Sequence, residues 1–238
     1  FRNNIVVPEP HSFDSGNTCI CNAQAVASVT IGGATQYYMD IQNVVTVVKE
    51  AAALPYVKLL ANITLTDTLT FKNAPKGMEL DFAGKTIYNP NNVAFKWGDH
   101  WVANNGTLTL RDSVGGGGVT SGRFSALELD DDAVIYGGTF KASMDDKFTQ
   151  AAAIDVYDAT VSIHGGVFDA TDSAVMVING TVNIYGGSFE CKTGIFDSRV
   201  TGVIQVYAAE FPNGISKESK HSVYAVLLSQ VLAPDCYL

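Results

Sequence analysis

Apolar and polar residues alternate through most of this chain. In residues 182–190, VNIYGGSFE, Val182 and Ile184 fall in one phase while Asn183 and Tyr185 fall in the other. β-Branched residues at period two predict a half-buried strand, with Val182 and Ile184 turned inward. The double glycine that follows predicts a bend where a side chain would obstruct the turn or the neighbouring chain. Close copies are VIYGGTF (134–140) and VSIHGGVF (161–168), and a degraded one is IQVYAAEF (204–211).

The phenylalanines that end these copies, Phe140, Phe168, Phe189 and Phe211, lie 28, 21 and 22 residues apart. A period in the twenties is the mark of a solenoid, whose units bury their apolar side only by stacking on one another. A second strand precedes each copy, in ALELDDDA (126–133), AIDVYDAT (153–160), AVMVINGT (174–181) and GIFDSRVT (194–201). Leu127, Leu129, Ile154, Val156, Val175 and Val177 are its predicted inward residues. Each coil then reads strand, turn, strand, Gly-Gly bend and inward Phe, with no room for a helix. The pattern extends back through NGTLTLRDSVGGGG (105–118), KGMELDFAGKTI (76–87) and YVKLLANITLTDTLTF (56–71). Roughly seven coils are expected over residues 56–211, with like residues stacked over like in parallel sheets. The fold class is therefore all-β, a parallel β-helix.

A β-helix exposes apolar core and unpaired strands at both ends, so each end needs a cover. Residues 26–33, VASVTIGG, read as a strand, and residues 37–53 place Ile41, Val44, Val45 and Val48 at helical spacing, with Pro55 beyond. This strand-helix unit, 26–55, is the expected N-terminal cap, preceded by an extension, 1–25. Residues 212–238, with Val226, Leu227 and Val231, are the expected C-terminal closure of a single domain spanning 26–238.

Composition narrows the partners. With 47% hydrophobic and 16% charged residues, the chain can fill one elongated core. A net charge of −9 argues against nucleic acid, which needs clustered Lys and Arg. No apolar run reaches membrane-spanning length, so no membrane insertion is expected. The opening FRNNIVVPEP lacks the order of a signal peptide and the chain starts without Met, so it reads as a mature or excised piece of a larger multidomain protein. Cys19, Cys21, Cys191 and Cys236 have no histidine at zinc-ligand spacing, and no metal site is expected from them. Partly buried thiols or, in an exported protein, one long-range disulfide remain open.

Taken together, IGG with its helical segment, KLLANITLTDTLTF, MELDFAGKTI, NGTLTLRDSVGGGG, the GG-x-F coils, EFPNGIS and LLSQVLAPDCYL resemble the right-handed parallel β-helix modules of large secreted or wall-attached proteins of Gram-positive gut bacteria, which implies a right-handed parallel β-helix here. Those modules belong to the pectin-lyase-like superfamily. The series covers residues from about 26 to the end; Ala208 and Ala209 depart from its glycine pair, and Asp235, Cys236 and Tyr237 from its usual terminus. The resemblance implies an extracellular or cell-wall-attached setting and an adhesin-like or scaffold role, with polysaccharide-cleaving relatives on the same fold.

Candidate chemistry follows on the outward positions. Glu128, Asp155, Met176 and Asp197 should form one column, with Asp155 and Asp197 two coils apart, about 9–10 Å at the usual strand spacing. Such a pair is the catalytic candidate of the polysaccharide-hydrolase or lyase alternative, set against plain solvated side chains. The basic element of polygalacturonase-type hydrolases, which His164 with its glycines superficially resembles, is missing. Asp130, Asp131 and Asp132 offer at most a weak calcium site. Tyr136, His164, Tyr185 and Tyr207 should form a ladder of one ring per coil, able to meet sugars or a host surface protein, or simply to stabilise the stack. Trp97 and Trp101, in FKWGDHW, are placed in an irregular insertion, where binding residues concentrate. The main expectation is a non-catalytic module for recognition of glycan or host protein, or a spacer, needing no cofactor.

Overall fold

The computed structural model describes Phe13, Gly16, Thr18, Cys19 and residues 23–100, 105–143, 151–191 and 195–212. At the N-terminal end lie β1 (Ala27–Ile31), β2 (Ala34–Tyr38) and α1 (Ile41–Glu50). The first coil holds β3 (Tyr56–Leu59), β4 (Ile63–Thr64) and β5 (Leu69–Phe71), and the second β6 (Met78–Asp81), β7 (Thr86–Asn89) and β8 (Phe95–Trp97). The third holds β9 (Leu108–Arg111), β10 (Gly118–Ser121) and β11 (Leu127–Leu129), and the fourth β12 (Ala133–Ile135), β13 (Thr139–Ala142) and β14 (Ala152–Tyr157). The fifth holds β15 (Thr160–Ile163), β16 (Val167–Ala170) and β17 (Ser173–Ile178), and the sixth β18 (Thr181–Ile184), β19 (Ser188–Cys191) and β20 (Phe196–Arg199). A last strand, β21 (Val203–Val206), opens a seventh turn.

Corresponding strands stack in parallel, so three sheets run along a β-solenoid. The first sheet is β2-β1-β3-β6-β9-β12-β15-β18-β21, the second runs from β4 to β19 and the third from β5 to β20. Register follows the sequence repeat, with Val161 beside Val182 and Phe168 beside Phe189. Each coil has three strands where the sequence predicted two, because the GG-x-F stretch is itself a strand. In β13, β16 and β19 the Phe points inward between outward neighbours such as Thr139 and Lys141. Six turns are complete, and the expected seventh is only begun.

Why the glycines recur is visible at the corner between the first and second sheets. A Cβ on Gly186 would stand 2.5 Å from the His164 carbonyl oxygen, and one on Gly165 would stand 2.7 Å from that of Tyr136. The second glycine of each pair carries positive φ, 117° at Gly166 and 115° at Gly187, which L side chains rarely adopt. Gly137 differs, since its Cβ would meet only the Asp112 amide at 3.6 Å, an ordinary contact. Gly186→Ala is therefore expected to cost about 1–3 kcal/mol through forced backbone displacement, whereas Gly137→Ala is near neutral. Urea denaturation of the two variants checks this, and equal midpoints would contradict it. In the final turn Ala208 and Ala209 take the place of the pair, and neither adopts positive φ.

The N-terminal cap is built as a hairpin and a helix. Gly32 and Gly33 have φ of 58° and 84°, the pair of left-handed residues that a two-residue hairpin turn requires. β1 also pairs antiparallel with β3, so it closes the edge that the first coil would leave open. The helix begins at Ile41 rather than near 37, because Tyr37 and Tyr38 pair with β1 in β2. The Asp40 side chain accepts from the Gln42 amide at 2.9 Å and caps the first turn. Ile41, Val44 and Val48 are buried on the core, while Val45 is only partly covered. The expected C-terminal cap lies outside the described residues from 213 onward, as does most of the extension 1–25.

Candidate functional site

Two places collect chemistry. The first lies along the glycine corner. Tyr136, His164, Tyr185 and Tyr207 each follow an inward residue of the first sheet, so alternation turns them outward, as the sequence predicted. Successive rings are 5.1, 5.0 and 4.8 Å apart between centroids and 18°, 14° and 12° apart in plane. The ladder therefore exists, but its ring faces are occupied by one another. What it shows to solvent are ring edges, the tyrosine hydroxyls and the imidazole nitrogens.

Beside it runs a groove of about 660 Å³. Its floor is Gly137 and Gly138, Gly165 and Gly166, Gly186 and Gly187, ending at Ala208 and Ala209. Thr139, Val167, Ser188 and Glu210 form the opposite side. Asp112 stands at the other end with both carboxylate oxygens engaged, accepting from the Gly84 and Gly117 amides at 2.7 Å each. The coil-to-coil ladder is interrupted at this floor. His164 and Tyr185 donate their amides to Ile135 and Ile163, and Val167 and Ser188 donate theirs to Gly138 and Gly166. Among the described residues, the amides of the glycine pairs between them make no such bond. No single copy of the motif reveals the groove; stacking the glycine pairs in register creates it.

The second place is the outer face of the third sheet. Lys96, Glu128, Asp155, Met176 and Asp197 are in register, which is the predicted column with Lys96 added. Its carboxylates are not the solvated side chains the plain alternative required. Asp155 is 5% exposed, Met176 2% and Asp197 7%. Both faces of β14 and β17 are buried over most of their length, so alternation no longer means exposure here. Asp197 takes an ion pair from Arg199 at 2.6 Å, and Asp155 accepts from the Tyr157 hydroxyl at 3.0 Å. The second Asp155 oxygen has no hydrogen-bond partner. Burial, and then the nearby Glu128 charge, push its carboxyl well above the ordinary range. Burial likewise pushes the Tyr157 hydroxyl up, reinforced by Asp155.

Lys96 is shared by Glu128 and by Asp130, whose Oδ2 lies 2.8 Å away. Burial opposes its charge, but the two carboxylates win and raise its pKa. Asp130 makes no hydrogen bond of good geometry, yet this close ion pair compensates its burial. The run Asp130 to Asp132 is split three ways: Asp131 accepts from the Asn105 amide at 3.2 Å and Asp132 from the Thr160 amide at 2.8 Å. Among the described residues no group of three or more His, Cys, Asp or Glu is placed to hold a metal ion.

The tryptophan expectation needs correction. Trp97 lies in β8, fully buried and inward, 6.0 Å from the Phe71 ring, with its Nε1 donating to the Gly106 carbonyl at 3.2 Å. It fills the core because β8 continues the inward phase set by Phe95. Trp101 lies outside the described residues, as do Cys21 and Cys236. A network not foreseen holds Asp81, which accepts from the Ala83 amide, the Ser113 amide and hydroxyl, and the Tyr56 hydroxyl. Burial alone would raise Asp81, but these donors hold it below the ordinary carboxylate value. The Asp-x-Ala-Gly turn was its only sequence signal.

Comparison with protein-family models, with curated proteins and with solved structures finds no match to this chain.

Proposed function

We propose that this β-solenoid is a non-catalytic carbohydrate-binding module of a secreted or cell-wall-attached bacterial protein, and that the glycine groove is its binding site. The observation that carries this reading is the groove itself, a path across five successive turns with the Thr139 and Ser188 hydroxyls along one side and the aromatic ladder on the residues that precede its glycine pairs. Small-residue floors let a ligand approach the backbone closely, and glycine amides that make no coil-to-coil bond among the described residues supply donors. A glycan suits it better than a peptide of a host protein. The groove crosses the coils along the solenoid axis, whereas a bound peptide strand would need an open sheet edge.

The polysaccharide-cleaving alternative would draw on Asp155, whose raised pKa suits a general acid. Against it, Asp155 and Asp197 are separated by buried Met176, and Arg199 occupies Asp197. The carboxylate column and the groove also belong to different sheets.

Val167 is the groove side chain best suited to a test, because it is 43% exposed and outside the core. Val167→Trp is expected to fill the groove and weaken polysaccharide retention in affinity electrophoresis by about tenfold, with the melting temperature unchanged. Retention equal to wild type in a folded variant would remove the groove from the binding site. Release of reducing ends from a bound polysaccharide would favour the enzyme instead.

A further inference from the structure

The groove's chemistry also selects among glycans. Resting on the binding reading above, we infer that the ligand is an uncharged linear polysaccharide, bound along the axis with one sugar unit per turn and contacted by ring edges, not ring faces. Three observations lead there.

The first is charge. No Lys or Arg lines the groove and His164 is the single imidazole of the ladder beside it, whereas Asp112 and Glu210 mark its two ends. A polyuronate or sulfated chain would bring a negative charge to each turn of a protein whose net charge is already −9, with no Lys or Arg in the groove to meet it. The central stretch between those ends holds only glycine backbone, Thr139, Val167 and Ser188. A polycation is no better served there, because the Asp112 oxygens are already committed to the Gly84 and Gly117 amides. Neutral hydroxyl-bearing units match hydroxyls and backbone amides without leaving a buried charge unpaired.

The second is spacing. Rings and glycine pairs repeat with the coil, 4.8–5.1 Å between ring centroids. That is close to the length of one pyranose unit in an extended chain. The groove reaches five corner levels; the four from Gly137 to Ala209 each follow a ladder ring, whereas the one at Asp112, Gly115 and Gly116 follows none. Affinity should therefore grow with chain length up to about four units, since the strand spacing fixes one level per unit.

The third is ring orientation. Ladder faces lie against one another at 12–18°, so sugars cannot stack on interior rings without breaking the ladder. The Tyr136 and Tyr185 hydroxyls and the His164 imidazole can instead hydrogen-bond sugar hydroxyls in a row, and the Tyr207 hydroxyl, which donates to Gln205 Oε1 at 3.1 Å, can accept there. This arrangement rewards regular, unbranched chains, because a side branch would strike either the ladder or the Thr139, Val167, Ser188 side.

The test is isothermal titration of the whole chain with cello-, xylo- and manno-oligosaccharides from disaccharide to hexasaccharide. Oligogalacturonates and chitosan oligomers are titrated alongside, each at low and high salt. Expected is binding of at least one neutral series, with affinity rising by about tenfold or more from di- to tetrasaccharide and flat beyond it. Its affinity should not depend on salt, and the charged series should bind about tenfold more weakly or not at all. A charged series that binds tightest, salt-dependently and sensitively to Val167→Trp overturns the ligand class while leaving the groove as the site. Tightest binding insensitive to Val167→Trp, or no binding by any series, overturns both. Affinity still climbing from tetra- to hexasaccharide sinks the one-unit-per-turn register.

Discussion

A Phe168→Ala variant is expected to lose about 3–5 kcal/mol of stability, the usual cost of emptying a buried aromatic site. Phe168 is fully buried in the middle of a ring stack, 5.2 Å and 9° from Phe140 and 4.7 Å and 10° from Phe189. Both neighbours lose their parallel-stacked partner at once, keeping only tilted or edge contacts with Phe82, Phe196 and Phe211, and the strands on either side limit collapse into the gap. The Phe168 ring also lies directly under the groove floor, since a Cβ on Gly187 would sit 3.2 Å from its Cε2. Core and groove are thus one construction, and oligosaccharide affinity at the proposed site should fall with stability even though Phe168 does not line the groove. Phe211 supplies the contrast. It is only partly buried, and its ring lies 6.2 Å and 37° from Phe189, where the stack ends. Phe211→Ala should cost less than half as much. At about 2–4 °C per kcal/mol for a chain of this size, calorimetry separates the two variants easily. Equal losses would mean that the ring stack contributes no more than ordinary burial.

The order of those phenylalanines was legible in the sequence because a solenoid repeats its environment. Period-two alternation placed Val161, Ile163, Val182 and Ile184 inside and Ser162, His164, Asn183 and Tyr185 outside, and all eight stand so. Parallel register then turned a spacing of residues into neighbours in space, which is why the ring ladder and the Glu128-to-Asp197 column were both found. Reading failed wherever position within a coil stopped deciding environment. Trp97 looked like a loop residue beside Gly98 and Asp99, but the phase of Phe95 carries it into the core. Asp155 kept its outward phase yet is buried, because alternation assigns a face and not what covers it. Tyr37 and Tyr38 sat within a plausible helical window, and only their antiparallel partners on β1 claim them for a strand. The groove was missed for a different reason. It consists of atoms the sequence does not write, the space left where three glycine pairs omit their side chains.

Asp155 leads to the other large expected effect. Its carboxyl is deeply buried, one oxygen accepts from Tyr157, and the other has no partner. Glu128 and Asp130 act on it from the negative side and Arg199 from the positive; beyond them Asp197 and Asp172 act on Arg199, Lys96 meets Glu128 and Asp130, and His100 lies 3.8 Å from Asp130. Lys96 is shared between Glu128 and Asp130, and Arg199 pairs with Asp197, so neither cation neutralises Asp155 directly. The folded pKa is therefore raised above the ordinary 3.8. For a raised carboxyl, the stabilising contribution is complete below the unfolded pKa and is lost as pH climbs through the folded one. Wild-type stability should decline from mildly acidic toward alkaline pH, because an ionised, unpaired buried carboxylate costs several kcal/mol. Asp155→Asn keeps the volume and the bond from Tyr157 while removing the proton, so its melting temperature should be nearly flat over that range. At mildly alkaline pH it should exceed wild type on the order of 5 °C. Asp81 titrates with the opposite sign, since its lowered pKa adds stability that disappears as pH falls, so both proteins should share the same acid limb. Parallel alkaline limbs in wild type and Asp155→Asn would show that Asp155 is ionised and compensated in the folded chain.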